Sequence, residues 1–439
     1  MSDGAASSDV RPGEVLEVAI EKGVYRGLGL GRHQGQVVMV PRALPGERWR
    51  VRVESARRGF LSARGLELLA PAPERRASPC PFFDRCGGCA YQHLDYGAQL
   101  RLKEAILRES LLRAGVRWDH EIPVAGSPEE GWRTRTVLHL EGRGGDLRLG
   151  LHEEKSHRVV DLPRCLQLSE AAMAAARALL EEMRRRPHQA ARVSDVEMAE
   201  SLDGKSLVVA LETDLDVKGT AALSGIARAL PGASGFGAMA RDGRLRHFVP
   251  LAGDPHVRST VLGLGLRAHV RSFFQSNRFL AEPLAAAVVE LLPAGGSVLD
   301  LYAGVGLFAL PLARQAERVR AVEASAMAVE DARWNAAQAG LRHVEVQRGD
   351  VAEALAQWPV GEKERIVLDP PRVGAGPLVV QRIAARRPEA IAYVSCDPAT
   401  LGRDLKAFAA QGYAPDAVRV FDLFPDTFHL ETLVRLVPR

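Results

Sequence analysis

Asp300-Leu-Tyr-Ala-Gly-Val-Gly306 runs into Leu307-Phe-Ala309, so Gly304, Gly306 and Ala309 take the spacing G-x-G-x-x-A. That spacing fits the dinucleotide fingerprint, and Glu323 lies near the distance expected of an acid that accepts ribose hydroxyls. Glycines let backbone approach a nucleotide at a sheet edge, a need shared by NAD and S-adenosylmethionine sites, and a purely structural turn would use the same letters. Two later groups discriminate. Leu368-Asp-Pro-Pro-Arg372 sets Asp369 before two prolines that stop helix and ladder alike, and an acid at the carboxyl end of a strand faces the ligand crevice. Val394-Ser-Cys-Asp-Pro-Ala-Thr400 sets Cys396 at the end of the next strand. Hydride transfer, the work of an NAD-dependent oxidoreductase, needs neither group. Methylation at a carbon that must first be made nucleophilic uses both. A small buried core residue is the plain alternative for Cys396, but its strand-end position between Ser395 and Asp397 points to chemistry.

The remaining four of the five cysteines are Cys80, Cys86 and Cys89, close together, and Cys165 far downstream. In a reducing compartment they are not a disulfide framework. Structural zinc sites usually take two close pairs, whereas three clustered thiolates plus a distant fourth are more typical of iron–sulfur ligation. Radical S-adenosylmethionine enzymes also cluster three cysteines, with a different first spacing and one iron left open; here Cys165 would close the set. The expectation is a structural 4Fe-4S cluster tying together two segments of a central domain, against four unrelated buried cysteines.

These residues need scaffolds to hold them. The 439-residue chain is 46% hydrophobic and 26% charged, with a mean hydropathy of −0.08, which excludes a long disordered chain or a collagen-like repeat. No run approaches the ~18 uncharged apolar residues of a membrane span. The polar start, Met1-Ser-Asp-Gly-Ala-Ala-Ser-Ser-Asp9, carries no apolar signal region, so the expected location is the cytoplasm. Of 58 basic residues seven are Lys and 51 Arg; guanidinium suits phosphate and base contacts, although a GC-rich genome gives the same bias.

Four regions follow. Residues 1–11 read as a disordered tail. Residues 12–70 alternate as short strands around glycine turns and fit a small five-stranded OB-like barrel. Between Arg42 and Arg76 nine Arg stand against four Glu; such a run is often only a solvated face, but on a small barrel it suggests nucleic acid. A Pro-rich linker leads into a central α+β domain at 75–265, with helices from about Tyr96 to Ala114 and Ser169 to Arg186. From 266 to 439 strands alternate with helices, the pattern of a doubly wound, mostly parallel α/β sheet.

Phe273-Phe-Gln-Ser-Asn277, the Asp300–Phe308 turn, Leu368-Asp-Pro-Pro-Arg372, Ser395-Cys-Asp-Pro-Ala-Thr-Leu401 and Asp422-Leu-Phe-Pro-Asp-Thr-Phe-His-Leu-Glu431 resemble, in order, the motif series of the RNA 5-methyluridine methyltransferases. Val40-Pro-Arg-Ala-Leu-Pro-Gly-Glu47 in the barrel resembles a TRAM domain. The resemblance covers nearly the whole chain and is weakest over 185–265. It implies a class I S-adenosylmethionine methyltransferase sheet, Cys396 as nucleophile at uracil C6 and Glu431 as the base that removes the C5 proton. It also implies a cofactor site lined by Gln275, Tyr302, Glu323, Asp350 and Asp369, and a 4Fe-4S cluster on Cys80, Cys86, Cys89 and Cys165. Without it, Glu431 reads as an ordinary exposed Glu.

Two positions depart from the family: Leu307 stands where Asn is frequent, and Asp397 replaces a common Asn beside the nucleophile. Members modify either 23S ribosomal RNA or the T-loop of transfer RNA. A basic barrel together with a cysteine set favours the 23S branch, with RNA as partner and no protein partner implied.

Overall fold

The structure is a computed structural model that describes residues 10–439 apart from Arg244; residues 1–9 of the expected tail lie outside the described residues. The described residues form two compact units, one running up to residue 84 with 88–109 and 426–429, the other 85–87 with 110–425 and 430–439. The segment expected as a central domain is thus divided: most of 75–109 belongs to the smaller unit, and the rest shares the larger unit with the doubly wound sheet.

In the smaller unit β1 (Val15–Val24), β2 (Leu28–His33), β3 (Gln36–Pro41), β4 (Arg48–Arg57) and β5 (Phe60–Ala70) close into a barrel in the order β1-β2-β3-β5-β4. Strict alternation over β1 sends Leu16, Val18 and Ile20 inward against Val38, Val40, Val51, Val53 and Leu61. Closure removes the open edges a five-stranded sheet would otherwise expose. In the TRAM-like turn Gly46 takes φ 85°, a left-handed conformation that suits glycine. The adjoining Glu47 is fully buried, accepting from Leu44 N at 2.8 Å and Trp49 Nε1 at 2.7 Å and pairing with Arg75. Helix α1 (Tyr96–Arg113) begins in this unit.

The larger unit holds two large sheets. One has the order β13-β12-β11-β10-β7-β8-β9, built from β7 (Arg135–Glu141), β8 (Arg148–His152), β9 (Val159–Asp161), β10 (Val193–Glu200), β11 (Leu207–Asp216), β12 (Ala233–Asp242) and β13 (Leu245–Gly253). Helix α2 (Glu170–Arg185), capped by Ser169 Oγ on Ala172 N, packs its Ala, Leu and Met face on this sheet, and α3 (Pro187–Ala190) follows. A hairpin, β14 (His256–Val261) and β15 (Leu264–His269), leads to the second large sheet.

That sheet runs β18-β17-β16-β19-β20-β22-β21-β6. Its strands are β6 (Val124–Ala125), β16 (Ser297–Leu301), β17 (Arg318–Glu323), β18 (Val344–Arg348), β19 (Arg365–Leu368), β20 (Ala390–Ser395), β21 (Tyr413–Phe421) and β22 (Glu431–Pro438). The helices between and before them are α4 (Ala281–Leu291), α5 (Ala309–Ala313), α6 (Ala326–Gln338), α7 (Val351–Gln357), α8 (Gly376–Ala385) and α9 (Pro398–Ala410). The strands from β16 to β20 are parallel and largely apolar because helices cover both faces. Strand β22 enters antiparallel between β20 and β21. Chain order reverses at β16, which has β17 on one side and β19 on the other; a crevice at such a switch point is where doubly wound sheets bind ligands. Among the described residues no helix is long and apolar enough to cross a membrane.

Candidate active site

The strand ends around that switch point carry the expected residues. Tyr302, just past β16, sits at φ 65°, a conformation that costs a non-glycine residue strain and is found chiefly where function holds it. Gly304 and Gly306 follow at φ 54° and 93°. Glu323 Oε2 accepts from Gly304 N at 3.0 Å and Oε1 from Ser325 N at 2.8 Å, so the acid at the end of β17 is locked against the glycine turn. Asp350 caps α7, accepting from Glu353 N at 3.0 Å. Tyr302 is pushed up to about 12 by burial and by the charge of Asp350, which puts phenol and carboxylate in one electrostatic neighbourhood.

Asp300, not singled out from sequence, organises the turn. It is fully buried in β16; Oδ2 accepts from Ala309 N at 2.7 Å while Oδ1 has no partner. Burial holds its proton well above the usual carboxylate range, the state expected of a buried acid with one lone oxygen.

On the other side of β16, three adjacent strands deliver Asp369, Cys396 and Glu431. Asp369 directly follows β19; burial raises it to about 7, opposed by a 2.9 Å bond from Gln275 Nε2. Gln275 is itself buried, in the segment joining β15 to α4. Strand β22 pairs with β20 through Ser395 and Thr432. One step further along the same antiparallel register, Cys396 lies opposite Glu431.

Glu431 is 2% exposed and its Oε1 has no hydrogen-bond partner; burial and the neighbouring Asp369 raise it well above the usual carboxylate range. The Cys396 thiol is pushed up to about 12 by burial and by Glu431, Asp369 and Asp397, with Arg372 pulling the other way. The site therefore holds a neutral thiol beside two carboxyls that carry protons more readily than usual. Arg372 closes the Leu368–Arg372 motif two residues past Pro370, the one sequence signal for its place beside the thiol.

The departures have structural consequences. Leu307 is 6% exposed within the apolar core. Asp397 caps α9, accepting from Ala399 N at 2.9 Å and Thr400 N at 3.0 Å; the carboxylate suits a helix N-terminus but disfavours the adjacent thiolate.

The four cysteines of the expected cluster are divided between the two units. Among the described residues no three His, Cys, Asp or Glu side chains are grouped so as to hold a metal ion. Cys80 and Cys89 belong to the smaller unit, Cys86 and Cys165 to the larger. Cys86 bridges Glu153 in a short antiparallel backbone contact, Cys89 Sγ accepts from Gln92 Nε2 at 3.2 Å, and Cys165 packs on the α2 core.

Residues 264–439 match the tRNA (uracil-5-)-methyltransferase family and residues 9–66 the TRAM domain. The chain is 35% identical over 440 residues to the 23S rRNA (uracil(1939)-C(5))-methyltransferase RlmD of Alkalilimnicola ehrlichii, covering 96% of each. The chain belongs to the RNA uracil-C5 methyltransferase family. The same-named enzyme of Pseudomonas aeruginosa is 33% identical over 98% of this chain and 96% of its own. Among solved structures, the Pyrococcus abyssi tRNA (uracil-54, C5)-methyltransferase in complex with S-adenosyl-L-homocysteine shares the fold, with a TM-score of 0.73 at 24% identity over 96% of this chain and all of that one. Membership decides the glycine turn for a methyltransferase over an oxidoreductase, and the N-terminal barrel of this methyltransferase is a TRAM domain.

Proposed function

We propose that this methyltransferase moves the methyl group of S-adenosylmethionine to C5 of a uracil in RNA through a transient bond from Cys396 to C6. The register that sets Cys396 opposite Glu431, with Asp369 on the next strand, carries this reading. S-adenosylmethionine supplies an electrophilic methyl on a sulfonium. Gln275, Tyr302, Glu323, Asp350 and Asp369 line its site, the locked Glu323 carboxylate facing ribose hydroxyls.

C5 of uracil is a poor nucleophile. Addition of the Cys396 thiolate at C6 forms an S–C6 bond and moves the ring electrons into an enolate, so C5 gains carbanion character. C5 takes the methyl group and S-adenosylhomocysteine leaves. Glu431 removes the C5 proton; the released electron pair rebuilds the C5–C6 double bond and expels the Cys396 thiolate. A carboxylate with a raised proton affinity is the better base for that step, and the unpartnered Oε1 has a lone pair to receive the proton. To present both C5 and C6 to a buried pair, the uridine must leave its stack.

The favoured substrate is 23S ribosomal RNA, supported by the 23S enzymes among the relatives and by the barrel. On that barrel Arg52 and Arg64 face each other in register and neither pairs with a carboxylate among the described residues, although like charges directly opposite are destabilising; a polyanion would offset that cost. The test offers labelled S-adenosylmethionine with 23S and transfer RNA transcripts together. Label in 5-methyluridine of 23S RNA is expected; label confined to the T-loop overturns the substrate, and no label in either RNA overturns the reaction.

The 4Fe-4S cluster rests on spacing and resemblance alone. Protein purified without oxygen would then be brown, with about four irons per chain; a colourless protein without iron would end that proposal.

A further inference from the structure

A groove of about 520 Å³ opens between the β14–β15 hairpin and the carboxyl half of α6, a size within the ~300–1,000 Å³ of ligand sites. Its wall carries Arg258, Arg267, Arg314, Trp334 and Gln338 against one acid, Asp203. None of these belongs to the methyl-transfer site. Trp334 lies eight residues past the start of α6, ~12 Å along its axis from the end that abuts Glu323.

The groove is not neutralised from within. Arg267 is committed to Asp331, Nε to Oδ1 at 3.0 Å, and lies 4.6 Å over the Trp334 ring, which orients the indole. Arg258 pairs with Asp254 at 2.7 Å. Asp203 is occupied by its own loop, accepting from Ser201 Oγ at 2.7 Å and Lys205 N at 3.1 Å, with Lys205 Nζ at 3.3 Å. Arg314 has no carboxylate partner among the described residues. Its Nη1 donates to Leu262 O at 2.6 Å, which holds the guanidinium at the rim with its other donors unspent. A fixed cation, an aromatic plane and the Gln338 amide in one concavity match a phosphate joined to a base.

We infer that this groove binds a nucleotide of the substrate RNA other than the target uridine, with its phosphate on Arg314 and its base against Trp334, an inference that rests on the RNA reading above. It would extend the footprint of the enzyme to a region of the catalytic unit remote from the reacting carbon, in keeping with RNA recognition by shape and single-stranded bases.

The test measures equilibrium binding of the full chain to 23S and transfer RNA transcripts over a salt series, without turnover, beside binding of S-adenosylhomocysteine. Trp334→Ala should weaken RNA binding roughly fivefold or more, and Arg314→Ala should lower the salt slope by about one. Gln338→Glu, which adds a negative charge at an exposed helix end, should weaken RNA binding without touching the hairpin. All three should bind S-adenosylhomocysteine as the parent does. Parental RNA affinity and slope in all three variants would overturn the inference. So would binding of uridine or adenosine monophosphate that these variants abolish while RNA binding is unchanged, since the groove would then serve a free nucleotide. Groove-dependent RNA binding with no methyl transfer to any RNA would support the groove while condemning the uracil-C5 reading.

Discussion

Gln275 Nε2 donates a 2.9 Å hydrogen bond to Asp369 Oδ2, tying the segment before α4 to the end of β19. The bond favours the charged form of a carboxyl that burial raises, so that with the bond in place the value stands at about 7. Gln275→Ala should therefore push Asp369 higher and weaken S-adenosylhomocysteine binding most between pH 7 and 8, by about 1.5–3 kcal/mol for a bond to a charged group. Calorimetric titration against pH checks this; a loss that is flat with pH would show that Gln275 acts only by packing.

Asp369 also makes stability depend on pH. Its ordinary value is 3.8 and the folded value about 7, so across that window the folded chain binds more protons than the unfolded one and loses stability as pH rises. Asp369→Asn should abolish methyl transfer, yet raise stability at pH 8 relative to the parent by up to about 4 kcal/mol, with a higher melting temperature. At pH 4 the difference should vanish. Calorimetric scans at the two pH values decide; a variant less stable at pH 8 would contradict the buried-charge account.

The Cys396 thiol, raised to about 12, is protonated at neutral pH in the unliganded protein, so adduct formation should speed up with rising pH. Asp397 raises it and Arg372 lowers it, and the two substitutions should move the profile in opposite directions. Asp397→Asn keeps an N-cap acceptor and should shift the rising limb to lower pH; Arg372→Ala should shift it higher. Single-turnover rates against pH measure both, and shifts of the same sign would mean that neither charge acts on the thiol.

Much of this was legible. The alternation of Leu16, Val18 and Ile20 is one face of a barrel strand; Cys396 directly follows the strand Ala390–Ser395, as its placement at a strand end expects, and Ser169 and Gly304 signal a helix start and a tight turn by their chemistry. Glu431 was not legible from local pattern, because its burial comes from β22 threading antiparallel between β20 and β21, a long-range pairing that no local period records. Asp300 was hidden for a similar reason: within Ser297–Leu301 it interrupts an apolar strand, and only the fold shows that Ala309 N returns to meet it. The cysteine spacing gave a ligand count but could not say whether four thiols converge, since that depends on the paths of segments in two different units.

On the barrel, Arg48 and Arg50 are answered by Glu17 and Glu67, whereas the Arg52–Arg64 pair is not answered. Replacing both Arg52 and Arg64 by Ala should leave barrel stability equal or slightly higher and lower the salt slope of RNA binding by about two. Filter binding between low and moderate salt checks it. An unchanged slope would move the RNA face of the barrel elsewhere.

The covalent pair Cys396–Glu431 is tested most directly by trapping it. With S-adenosylmethionine and substrate RNA, Glu431→Gln should add, methylate and then fail to release, leaving protein and RNA joined on a denaturing gel, with labelled methyl in the joined species. Cys396→Ala should give neither the adduct nor 5-methyluridine. Near-parental turnover by Cys396→Ala, or free 5-methyluridine product from Glu431→Gln at the parental rate, would contradict the account.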